Sequence, residues 1–160
     1  MWPTTTIDAV CDTAASTNGR MFLLKCADAG IARDVVQEIN TAWINQTGRA
    51  STPIALGEFV RLMKHWRLSD PTPYRDLFVI PDPGTQLPTS EVVLYWRSLN
   101  LLRDRVHSFL VSANASLAIV VTQTLMESLS AHDGIRDILS IATIDTVDNE
   151  PPASEDSNDP

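Results

Sequence analysis

The sequence predicts an all-α protein: a four- to five-helix bundle with a long Pro-rich loop and a disordered acidic C-terminal tail. Three observations predict it. Apolar residues recur at helical spacing between 31 and 66; residues 69–90 carry Pro71, Pro73, Pro81, Pro83, Gly84 and Pro88; and residues 145–160 hold Asp145, Asp148, Glu150, Glu155, Asp156 and Asp159 with no base. A chain of 160 residues with 44% hydrophobic and 20% charged residues is sized and composed for one packed core. The expected division is a helical domain over 1–147 and a tail over 148–160 that no packing holds.

The elements follow in order. Residues 4–6 cap a first short helix to about Ala15, and residues 16–19 turn the chain before an apolar run at 21–24. Gly30 breaks the chain, after which Ile31, Val35, Val36, Ile39 and Trp43 mark an amphipathic helix ending near Gly48. Thr52 and Pro53 read as the start of a helix to Leu68. At about 100° per residue its Leu56, Phe59, Val60, Leu62, Met63 and Trp66 share one arc, and Arg61, Lys64 and His65 the other. The prolines of 69–90 forbid regular helix, leaving room for a short strand at 77–80, and a loop of such length suggests an interface or a ligand cover. Thr89 or Ser90, followed by Glu91, opens the longest helical region, running to about Ser130 with a weak point at 112–116. Residues 132–134 break it, and 135–144 form a last short helix.

Charge is distributed unevenly. The formal net charge is -8, but removing the six tail acids from the twenty leaves fourteen against twelve bases, so residues 1–144 carry about -2. Ten of the twelve bases are Arg, which suits planar recognition of phosphate or carboxylate and equally follows from a GC-rich coding genome. Cys11 and Cys26 form no CxxC, so buried free thiols and a reducing compartment are expected. No stretch matches a membrane span or a basic-headed signal peptide, so no membrane partner is expected. The glycosylation-like triplets at 45–47 and 114–116 read as accidental.

No catalytic site, metal site or cofactor is expected. GxGxxG, GxxxxGK[ST], HExxH and GxSxG are all missing from the sequence. His65, His107 and His132 lack ligand spacing, and Asp34 with Glu38, like Asp133 with Asp137, reads as a solvated helix face. Two basic features remain: Arg61, Lys64 and His65 on the back of one helix, and Arg103-Asp104-Arg105 with Tyr95, Trp96 and Arg97 before it. On a helix Arg103 and Arg105 point about 200° apart, so they share a ligand only near a helix end or kink.

Two segments resemble the coat proteins of rod-shaped plant viruses of the tobamovirus type. They are Ala32-Arg33-Asp34-Val35-Val36-Gln37 with Trp43, similar to an Ala-Arg-x-Val-Val-Gln…Trp stretch, and Arg103-Asp104-Arg105 with Ala113-Asn114, similar to that family's Arg-x-Arg segment and later Ala-Asn. Length, acidity and the excess of Arg over Lys are also similar. The match covers about a third of the chain; the spacing between the segments is longer here, an Arg-Phe-Pro segment is missing, and an acidic tail replaces an aromatic ending. The resemblance implies a four-helix subunit packing laterally in a virion around single-stranded RNA, with Arg103, Arg105 and, less directly, Arg33 on phosphates. Its partners would be further copies of itself, as a helical or ring assembly, and many weak contacts would supply the affinity a near-neutral subunit lacks. A small cytoplasmic helical adaptor or regulatory module, using helix 53–68 or the loop, is the rival reading, and an enzyme of unrecognised helical type the third.

Overall fold

A computed structural model describes residues 6–67 and 74–130. Among them the chain forms helices α1 (Ile7–Ser16), α2 (Ala29–Thr47), α3 (Leu56–His65), α4 (Thr89–Leu101), α5 (Arg103–Ser112) and α6 (Gln123–Ser130). Between these lie strands β1 (Met21–Cys26), β2 (Thr52–Pro53), β3 (Asp76–Ile80) and β4 (Ala115–Thr122), and a 3₁₀ turn at Pro83–Thr85. The strands make one sheet in the order β1-β4-β3-β2, every pair parallel. The all-α expectation is therefore wrong: this is an α/β fold, with helices covering both faces of a parallel sheet.

The alternation of the pleat explains how so short a sheet anchors two cores. Phe22, Leu24 and Cys26 of β1, Leu77 and Val79 of β3, and Ala118 and Val120 of β4 point to one face, where Val10, Cys11, Ala14, Ala32, Val35, Ile39 and Trp43 of α1 and α2 close over them. The neighbours in sequence, Met21, Leu23, Ile80, Leu117, Ile119 and Val121, point to the other face, against α3, α4, α5 and α6. On that side Phe59, Phe78, Phe109 and Trp66 form an aromatic group, with Trp66 and Phe109 edge-to-face at 5.8 Å between centroids. The apolar arc expected on the third helix is its packed face: Leu56, Phe59, Val60 and Met63 are buried.

Two helical expectations become strands or turns, and an apolar run left without a structure gains one. The apolar run at 21–24 is β1. Thr52 and Pro53 pair with Phe78 and Val79 as the edge strand β2, where a proline's missing N–H costs nothing, and the helix starts at Leu56. The longest expected helix, Thr89 to Ser130, is α4, α5, β4 and α6: Leu102 separates α4 from α5, and Asn114 takes a left-handed turn at φ 57° before β4. β4 lies between β1 and β3 and every one of its residues is buried, so it reads as an unbroken apolar run instead of an alternating one. The strand allowed for at 77–80 is β3. Thr6 does cap the first helix, its Oγ1 accepting from Ala9 N at 3.0 Å. Gly48 ends α2 at φ 77°, as its position predicts. The helix expected over 135–144, His132 and the acidic tail lie outside the described residues.

Candidate functional site at the carboxyl edge of the sheet

In open parallel sheets ligands settle beyond the carboxyl ends of the strands, where adjacent strands send their chains to opposite faces. Here those strands are β1, which leads to α2 on one face, and β4, which leads to α6 on the other. A cavity of about 320 Å³ opens beside this point, lined by Ala29, Gly30, Ala32, Arg33, Val36 and Gln37 of α2 and by Pro81, Asp82, Thr85 and Gln86 after β3.

The junction from β1 to α2 is only Ala27 and Asp28. Asp28 is the N-cap: its Oδ1 accepts from Ile31 N at 2.9 Å, and its carbonyl accepts from Ala32 N at 2.9 Å. The carboxylate thus occupies the positive end of α2, where a phosphate-binding fold would place a glycine-rich loop and its anion. A Cβ on Gly30 would meet Asp28 Oδ1 at 3.3 Å and Arg33 Nη2 at 3.9 Å, so the first turn is already crowded by its own side chains. A phosphate there would have to displace the Asp28 carboxylate from Ile31 N.

Asp82 is the second carboxylate, only 6% exposed at the end of β3. Burial raises its pKa above the ordinary carboxylate value, while backbone N–H groups of Gly84 and Thr122 pull it down. Thr122 in turn accepts from Leu125 N through Oγ1 at 3.2 Å, capping α6. Asp82 therefore ties the end of β3 to the end of β4 and to the start of α6. Chemically, the pocket offers one buried carboxyl, the amides of Gln37 and Gln86 and one guanidinium, without a nucleophile beside a base. Cys11 is no nucleophile either: burial, then the charges of Asp8 and Asp12, push its thiol up to about 12. Both cysteines are buried free thiols. Among the described residues no group of three or more His, Cys, Asp or Glu is arranged for a metal ion.

No family model and no curated protein sequence matches the chain. Its fold is similar to that of a solved structure. It is the crystal structure of a DNA polymerase III, gamma subunit-related protein from Thermotoga maritima, with a TM-score of 0.52 and 14% identity over 95% of this chain. The chain spans about half of that protein, 48% of its length. At this identity the likeness concerns the fold alone. It corrects the coat-subunit expectation and the capsid vocabulary that went with it, because a domain built on a parallel sheet is not a laterally packing helix bundle.

The residues singled out from the sequence are dispersed. Arg33 stands on the cavity rim in α2. Arg61, Lys64 and His65 lie exposed on α3, the last two in its final turn, where positive charge suits the helix dipole. Arg103 is exposed at the start of α5. Arg105 turns inward: Nε donates to Met63 O and Nη2 to Trp66 O at 2.6 Å, so the guanidinium closes the open carbonyls at the end of α3. Asp28, Asp82 and Thr122 escaped the sequence reading. Asp28 carried a usable signal, an Asp directly before the apolar periodicity of a helix; Asp82, set between Pro81 and Pro83, carried none.

Proposed function

We propose that this chain is a non-catalytic subunit domain of a DNA-replication assembly, with the architecture of a phosphate-binding α/β domain and no use of a nucleotide. The observation that carries the reading is Asp28, which fills the anion position at α2 with the chain's own carboxylate. The likeness to a polymerase III subunit-related protein supplies the assembly. A domain of this kind works by holding its neighbours in place. The surface that supports such work is the outer stripe of α4, where Leu94 and Leu101 are 61% and 85% exposed and stand seven residues apart on one side of the helix.

Affinity capture from the source cell with identification of the bound proteins tests the reading. Subunits of the replicative polymerase assembly are expected with the native chain. Replacing Leu94 and Leu101 together by serine is expected to lose them without lowering the melting temperature. Recovery of the same proteins by both forms, or of no replication protein by either, contradicts the proposal, as does ATP hydrolysis above background by the purified chain.

A further inference from the structure

The opposite edge of the sheet, where the strands begin, is built from segments with a common property. Residues 13–27, 39–57 and 105–126, which form the end of α1, the end of α2, α5 and the entries to β1, β2 and β4, contain no acid. Arginine stands at each approach: Arg20 directly before β1, Arg49 before β2 and Arg75 directly before β3. The pleat puts them on one side. Arg20 shares the parity of Phe22 and Leu24, Arg75 that of Leu77 and Val79, and all four of those residues face α1 and α2, the layer from which Arg49 emerges. β1 and β3 are separated by β4 alone, and the register sets Arg20 level with Leu77, two residues along from Arg75, so the two arginines enter the sheet about 12 Å apart.

The side chains are set for flat, anionic company. Arg49 lies face-on against the ring of Tyr74, 3.3 Å from its centroid, and both residues are exposed. Arg75 Nη1 donates to Asn114 Oδ1 at 3.1 Å, and Asn18 Nδ2 donates to the same oxygen at 3.2 Å, so the guanidinium is aimed before any ligand arrives. The acid next to this row, Asp76, is drawn away: it accepts from Thr52 Oγ1 at 3.0 Å and from Leu77 N at 2.8 Å.

We propose that the row Arg20, Arg75, Arg49 and Tyr74 binds single-stranded nucleic acid, an unpaired base stacking on the Arg49–Tyr74 pair and the phosphodiester backbone running along Arg75 and Arg20. A basic track with a planar stack is the arrangement that grips single strands without reading sequence. None of the arginines singled out in the sequence belongs to it, and it stands independently of the assembly proposed above.

The test is fluorescence anisotropy of a labelled oligothymidylate titrated with the full chain at low salt. Saturable binding is expected, weakening steeply as salt is raised. Arg49→Ala should weaken it about tenfold through the lost stack, and Arg49→Lys should recover the salt dependence without recovering most of that affinity. Arg75→Gln should lower the slope of log affinity against log salt by about one. Arg49 is exposed, so its variants keep the fold, and a melting curve controls for Arg75. The proposal is overturned if the folded chain ignores the oligonucleotide at low salt, or if Arg49→Ala and Arg75→Gln both bind as the native chain does. Capture of a polyglutamate peptide, with the oligonucleotide ignored, overturns it in favour of an acidic protein segment.

Discussion

The two edges of the sheet invert the usual division of labour. At the carboxyl edge, where parallel sheets ordinarily keep their ligands, Asp28 closes the end of α2 and Asp82 knots three elements together. At the amino edge, ordinarily plain, arginines stand at the strand entries with Tyr74 stacked beneath one of them. The difference teaches that a fold supplies positions, and that the side chains placed there decide whether a position is open. A carboxylate at a helix N-terminus is as good an anion as a phosphate and is always present.

Substitutions on either side can break the comparison. The largest effect is expected at Arg105, whose guanidinium is spent internally on Met63 O and Trp66 O: Arg105→Ala should cost about 2 to 3 kcal/mol in urea denaturation, whereas Arg49→Ala, its exposed counterpart, should cost almost nothing. Next comes Asp82→Ala, which strips the acceptor from two backbone N–H groups and should cost about 2 kcal/mol. Asp28→Ala should cost about 1 kcal/mol as a lost N-cap.

The finest test is of pH. Burial raises the proton affinity of Asp82, so between the ordinary carboxylate value and the raised one the folded chain binds more protons than the unfolded chain. Stability contributed by its neutral form is present at low pH and is lost as pH rises through that window. Asp82→Asn, still able to accept a hydrogen bond, should remove this fall and leave the rest of the pH profile intact. A slope unchanged by the substitution would assign it to another group.

Legibility in the sequence followed the physics of each element. Helices with one buried stripe announce themselves, and α2 and α3 were readable from Ile31 to Trp43 and from Leu56 to Trp66. Strands buried on both faces have no alternation to read, so β4 looked like a stretch of helix and β1 like an apolar patch. The β-branched run Ile119, Val120, Val121, Thr122 was the overlooked signal; the weak point read at 112–116 is where the chain turns at Asn114 into the strand. β2, two residues long and containing a proline, is stabilised by pairing with β3 and has no local signature. The site was less legible than the fold. The absence of GxxxxGK[ST] was visible, but that Asp28 caps the helix that follows β1 required knowing that a strand precedes it. The amino-edge row joins residues 20, 49 and 75, which only the sheet brings together.

The claim on which the rest turns is that α2's N-terminus is closed to phosphate by Asp28. Thermal unfolding of the full chain across rising magnesium–ATP tests it most directly, since a ligand at a hundred times its dissociation constant adds about 2.7 kcal/mol to the folded state. The melting temperature is predicted to stay where it is. A rise that grows with nucleotide concentration, then follows its logarithm, and persists in Arg49→Ala would contradict the account.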